Sequence, residues 1–203
     1  MPIINSIAAM ADDMKTWRRH LHAHPELTFD CHQTAAFVVE RLREFGVSDI
    51  HEGIATSGVV AVIDSGRPGP TIGLRADMDA LPIEEATGVE YASTVPGIMH
   101  ACGHDGHTTM LLGAARQLCE TRDFAGTINL IFQPAEEGHA GARVMLEDGL
   151  FERFPCDAIF AMHNWPGLPA GQISVQAGPV MAAADRVQIE ITGCGGHGAH
   201  LVE

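Results

Sequence analysis

Apolar residues recur at helical intervals through Ile4, Ile7, Ala8, Met10, Met14, Trp17 and Leu21, so the spacing predicts an amphipathic helix from Ile4 to His22 that Pro25 stops. A second helix is predicted after Asp30, with Gln33 as its capping-box partner. Its buried face would carry Ala36, Val39, Leu42 and Phe45, and Gly46 ends it. The pattern then changes to short continuous apolar runs. Gly58–Asp64 and Thr71–Arg75 read as strands on either side of the turn-rich stretch SGRPGP. Beyond a polar loop, Thr108–Cys119 is apolar along one helical face, and Thr127–Phe132 reads as a buried strand. Ala140–Asp148 follows as a short helix closed by Gly149, and Asp157–Met162 as a further strand. This alternation predicts an α/β layer with much of its sheet buried on both faces.

The last stretch departs from that pattern. Asp185–Thr192 alternates polar and apolar residues, as a strand with one wet face does, behind a small-residue segment, Ala182–Ala184, that could act as a hinge. Residues 1–183 are therefore read as the N-terminal part of one domain and residues 184–203 as the start of a second, so the chain reads as truncated at Glu203. Hydrophobic residues make up 46% of the 203, enough for a core and against disorder. A net charge of −14 repels phosphate backbones, which argues against a nucleic-acid partner. No apolar run is long enough to span a bilayer, so no membrane partner is expected. The start lacks the form of a secretory signal, and five widely spread cysteines do not form a disulfide framework; a cytoplasmic location is expected.

The candidate chemistry lies at the strand ends. Thr71–Arg75 leads into Asp77 and Asp79, Thr127–Phe132 into Glu136 and Glu137, and Asp157–Met162 into His163 and Asn164. Cys102, His104 and Asp105 stand just before a helix. Ligand sites of open α/β sheets lie beyond the carboxyl ends of the strands, so these ends imply one convergent site. Cys102 and His104, two apart, point to the same side of an extended backbone and could share an ion. Adjacent Glu136 and Glu137 would point apart, one toward a metal and the other toward a bound water. With His163 the donors suit zinc, with manganese, cobalt or nickel as alternatives. A bound metal lowers the pKa of water to roughly 7, and a nearby carboxylate can then act as general base. Taken singly, each feature has a plainer reading: a solvated helix start for the glutamates, a core histidine for His163. His20, His22 and His24 would face different ways at a helix end and are read as structural or surface residues; Cys31, Cys119 and Cys156 are read as structural. There is no G-x-S-x-G elbow, no P-loop and no G-x-G-x-x-G after a strand.

In order along the chain, RRHLHAHPEL, LRADMDALPIEE, MHACGHDGHTTMLLGAA, FQPAEEG, MHNWP and GCGGHGAH resemble the metal-dependent amidohydrolases of the hippurate hydrolase type. That group includes N-acyl amino acid amidohydrolases and plant indole-acetyl amino acid hydrolases, within the aminoacylase and carboxypeptidase clan. The resemblance implies a mixed-sheet α/β, zinc-peptidase-like catalytic domain interrupted by a lid that mediates dimerisation, of which this chain holds the first strand. It also implies one or two divalent ions, a small N-acyl or N-aroyl amino acid as substrate, and a homodimer or larger assembly of the longer protein. By position, Cys102, His104, Glu137 and His163 match the family's metal ligands and Glu136 its general base. Asp77 matches an aspartate that orients a ligand, with Arg75 in place of the clan's histidine. His197 matches a lid histidine that steadies the oxyanion, and Asn164 a group that helps to hold substrate. The family's remaining histidine ligand has no counterpart here, Cys194 stands where a basic residue is more usual, and Leu201–Glu203 replaces the usual continuation after His200. The 203-residue chain alone is accordingly expected to bind metal weakly and turn over poorly. Competing expectations are a dipeptidase or deacetylase of the same chemistry, and a non-catalytic metal-binding fragment.

Overall fold

The computed structural model describes residues 4–183, 187–193 and 199. The chain divides into two compact units, Met1–Gly167 and Leu168–Glu203. In the first, the elements run α1 (Asn5–Ala9), α2 (Ala11–Ala23), α3 (His32–Glu44), β1 (Asp49–Ile54), β2 (Gly58–Asp64), β3 (Thr71–Asp77), α4 (His104–Thr121), β4 (Thr127–Gln133), α5 (Glu136–His139), α6 (Gly141–Glu147), α7 (Leu150–Arg153) and β5 (Ala158–Ala161). Among the described residues of the second unit there is no helix or strand.

The strands form one mixed sheet in the order β1-β2-β4-β3-β5. β1 and β4 pair antiparallel to β2, whereas β4 and β5 pair parallel to β3. Successive side chains of the central strands feed opposite cores, as the period of a strand requires. Val59, Ala61 and Ile63 of β2 and Leu130 and Phe132 of β4 pack with Trp17, Val38, Leu42 and Leu112 from the long helices. Val60 and Ile131 face the other way, onto Met145, Leu150 and Phe154. A sheet covered on both sides explains why β2 and β4 read as continuous apolar runs. Each large side chain buried this fully, Leu130 and Phe132 among them, contributes roughly 1.5–3 kcal/mol.

The structure corrects several local expectations. The first predicted helix is two, broken at Met10, which leaves the helical region (φ −96°, ψ 9°) and inserts into the core. The Asp30–Gln33 capping box does not form. The Glu26 carboxylate instead accepts the Gln33 N–H at 3.0 Å and the Thr34 N–H at 2.8 Å, so α3 starts at His32. Its buried face is Thr34, Ala35, Val38, Val39 and Leu42; Ala36 is exposed and Phe45 half-buried. α4 begins at His104 rather than Thr108. β1 carries no apolar run because it is an edge strand, and so gave no signal. The strand expected at Asp185–Thr192 lies partly outside the described residues, and residues 187–193 form none. Val187, Ile189 and Ile191 are exposed there: alternation marks a face, but a strand also needs a ladder partner. Among the described residues, no helix is long and apolar enough to cross a membrane.

Candidate metal centre

Because β3, β4 and β5 are parallel, their carboxyl ends open on one rim of the sheet. Asp77 ends β3, Glu136 and Glu137 follow β4, and His163 and Asn164 follow β5. α4 reaches this rim with its N-terminus, where Gly103 takes a left-handed conformation (φ 96°) and His104 is the first helical residue. A side chain at position 103 would collide with the Asn164 carboxamide, so glycine is required. The same end of α4 is anchored on α2: Asp105 accepts a hydrogen bond from His22 Nδ1 at 2.8 Å and pairs with Arg18 Nε at 2.8 Å. His22 is thus buried and structural, while the rings of His20 and His24 lie together on the surface with centroids 4.5 Å apart.

Donor atoms of Cys102, His104 and His163 lie within 4.8 Å of one another, and so do those of His104, Glu136 and Glu137. His104 is common to both groups. Its Nε2 is 3.8 Å from Glu137 Oε1, 4.0 Å from Glu136 Oε2 and 3.7 Å from Asp77 Oδ2. Cys102 Sγ is 3.4 Å from His163 Nε2, and His163 donates through Nδ1 to the Asn164 carbonyl at 2.6 Å, which leaves Nε2 bare on the Cys102 side.

The backbone that achieves this is not the extended one read from the sequence. A left-handed glycine and a helix start bring Cys102 and His104 together. The two glutamates, instead of pointing apart, both approach His104, because Ala135 (φ 56°) and Gly138 (φ 78°) wind them into a tight turn. Glu136 is the more open of the pair, with its side chain 44% exposed against 24% for Glu137. His197 lies outside the described residues.

Of two further residues of the centre, His107 had not been singled out and Asp79 had been noted only as following the strand that ends at Asp77. His107 is buried and donates through Nδ1 to Asp77 Oδ1 at 2.6 Å, and its Nε2 lies 2.6 Å from Asn164 Oδ1 and 3.1 Å from the Asn164 backbone nitrogen. Asp79, also buried, accepts the Glu136 N–H on Oδ1 and the Glu137 N–H on Oδ2, each at 3.0 Å. The i, i+3 spacing of His104 and His107 is the signal that could have found the former, once α4 is known to start at His104.

The charges are strongly coupled. Burial acts to raise the Asp77 carboxyl, but the His107 hydrogen bond and the Arg75 guanidinium, 2.7 Å away, outweigh it and hold the pKa at about 2. Burial and the Glu137 charge push the Glu136 carboxyl up. Burial, together with hydrogen bonding to Glu137, pushes the Cys102 thiol up to about 12, so binding a cation there must release its proton. Burial opposes charge on His104, yet Asp79, Asp77 and Glu137 raise its pKa above the ordinary value.

The Asp77 shift has a consequence for metal-free protein. A carboxylate with a depressed folded-state pKa stabilises the fold above its unfolded value of 3.8, and that stability is lost as pH falls through about 2. The stabilisation is about 2 kcal/mol. Denaturation measured between pH 5 and 2 should therefore show a steeper loss for the wild type than for Asp77→Asn; parallel curves would contradict the assignment.

Both ring nitrogens of His104 and Oε1 of Glu137 are buried without a hydrogen-bond partner. Imidazole and carboxylate donors left in this state, with the Cys102 thiol beside them, fit a divalent cation. The profile of the peptidase family M20/M25/M40 matches residues 73–201. The hippurate hydrolase of Campylobacter jejuni is 46% identical over 199 residues, covering 98% of this chain and 51% of that protein. The N-acyl-L-amino acid amidohydrolase of Geobacillus stearothermophilus is 47% identical, covering 95% and 53%. Among solved structures, the YXEP protein of Bacillus subtilis, described as a dinuclear metal binding peptidase, is 45% identical with a TM-score of 0.80, over 85% of this chain and 48% of that one. This chain spans about half the length of the curated relatives it matches. On sequence and fold together, it belongs to peptidase family M20/M25/M40.

Proposed function

We propose that this chain carries the N-terminal part of the catalytic domain of a metal-dependent amidohydrolase that cleaves the amide bond of N-acyl or N-aroyl amino acids. The observation that carries the reading is His104, which is common to two groups of donors, one with Cys102 and His163 and the other with Glu137 and the more open Glu136. In this reading Cys102, His104, Glu137 and His163 hold a divalent ion, Zn, Mn, Co or Ni, alone or as one of a pair. When bound, that ion supplies Lewis acidity and lowers the pKa of the water it holds.

Glu136 is the general base. It stands on the solvent side of the pair, its basicity is raised by burial and by Glu137, and it takes a proton from the attacking water and returns it to the leaving amine nitrogen. Arg75 and His107 keep Asp77 ionised beside His104, which favours a cation at Nε2. Asn164 borders the same rim and is assigned to the substrate side, and His197 to the developing oxyanion. The reading extends to a lid beginning at residue 184, a homodimer and a cytoplasmic location for the longer protein.

In the intact protein, a chelator should abolish hippurate hydrolysis and Zn, Mn, Co or Ni should restore it. Activity that survives full metal removal would overturn the proposal. A panel of N-acetyl amino acids and dipeptides separates the acylase from the deacetylase and dipeptidase. Metal binding without turnover on any of them would leave the non-catalytic reading.

A further inference from the structure

We infer that Asp79 is the positioning residue of this centre: one buried carboxylate that turns His104 so that Nε2 faces the cation and that holds the Glu136–Glu137 turn at the same point. The inference rests on the metal reading above for what Nε2 faces, but the geometry of Asp79 belongs to this chain's own residues.

The Asp79 side chain has no solvent exposure, and a carboxylate buried this way must be compensated by donors. It has two strong ones. Successive backbone N–H groups, from Glu136 and Glu137, reach its two oxygens at 3.0 Å each. They point at one acceptor because the preceding Ala135 is left-handed (φ 56°), so that the turn forms a small concave array of amides. A non-glycine residue holds that conformation only where its surroundings over-determine it, and Ala135 is fully buried with Asp79 clamping the amides that follow.

The third partner is His104. Its Nδ1 lies 3.4 Å from Asp79 Oδ1, whereas its Nε2 faces Glu137, Glu136 and Asp77. Nδ1 is closed off from solvent and has no formed hydrogen bond. The separation exceeds a formed N–H···O bond by only about 0.3 Å, which a small ring rotation closes. A proton held on Nδ1 toward Asp79 leaves the Nε2 lone pair for a metal, the usual relation between a ligating imidazole and the carboxylate behind it. Asp77 cannot serve this way. Its oxygens are taken by His107 and Arg75, and it lies on the Nε2 side of the ring. The two aspartates of the DMD segment therefore divide the labour: Asp77 sets charge in front of His104 and Asp79 sets orientation behind it.

The test uses the full chain with 15N-labelled histidine, prepared metal-free, and Zn2+ as the only added ion. At a pH alkaline enough to leave the His104 ring neutral, long-range 1H–15N correlations should show its proton on Nδ1 in the wild type. In Asp79→Asn the amide presents an N–H2 group to one of the backbone donors, so the fold is checked by circular dichroism. The folded variant should show mixed His104 tautomers and bind Zn2+ about 10–100-fold more weakly in competition with a chelator. A neutral wild-type His104 with its proton on Nε2 overturns the inference, and that measurement does not depend on the variant folding. So does an Asp79→Asn protein that keeps both the Nδ1–H tautomer and the wild-type Zn2+ affinity. If the wild type takes up no Zn2+ while His104 still carries Nδ1–H, the metal reading fails and the placement of Asp79 stands.

Discussion

Glu136→Gln in the intact protein is expected to lower kcat for amide hydrolysis by about 10²–10⁴-fold while leaving the bound metal in place. Glutamine keeps the shape of the side chain and loses its capacity to take a proton. The Glu136 N–H remains on Asp79, so the turn is not disturbed. The neighbouring Glu137→Gln should behave differently, because Glu137 Oε1 is a buried oxygen without a partner at 3.8 Å from His104. There metal affinity should fall together with activity. Parallel measurement of turnover and metal content separates the two roles. Equal metal loss in both variants would refute the division into base and ligand.

Gly103→Ala is expected to destabilise the protein by about 2–4 kcal/mol and to weaken metal binding with it. Two effects combine: the left-handed backbone at φ 96°, and the collision of a new methyl with the Asn164 carboxamide. Displacing Asn164 moves both its neighbour His163 and His107, the residues that tie the end of β5 to α4. Thermal unfolding should fall by roughly 5–15 °C. Gly106→Ala is the control, since a Cβ there meets nothing within 4 Å and its φ is not in the left-handed region. It should be neutral or stabilise by up to about 1 kcal/mol. An unchanged melting temperature for Gly103→Ala would show that the collision is relieved cheaply.

How much of this was legible from residues alone follows from where each signal resides. β2 was read end to end because a strand buried on both faces leaves an unbroken apolar run. Cys102, His104, Glu137 and His163 could be picked out as candidate donors because polar, chemically capable residues gathered near the carboxyl ends of such runs mark the place of a ligand site. The part played by Asp79, though the residue was noted, and His107 altogether escaped because their meaning depends on the backbone around them. Asp79 acts on amides of residues 57 and 58 positions away, and His107 joins His104 on one helical face only if the helix begins at His104. The partnership of His22 with Asp105, 83 positions apart, leaves no local trace at all. The α3 cap failed for a related reason: Glu26 supplies from outside what Asp30 was expected to supply from within.

The parallel pairing of β3 with β4, in register from Thr71 beside Thr127 to Asp77 beside Gln133, has one more consequence. It sends every residue of the candidate centre to one end of the sheet, while the chain segments entering β3 and β4 meet at the other, roughly 20 Å away. At that far end Arg67 hydrogen-bonds to the carbonyls of Arg122 and Phe124, and Arg122 to that of Asp64, closing the turns on each other. Those turns are exposed and, among the described residues, touch none of the catalytic candidates. They are where affinity tags, fluorophores or grafted peptides can be accommodated without reaching the reactive pole of the domain.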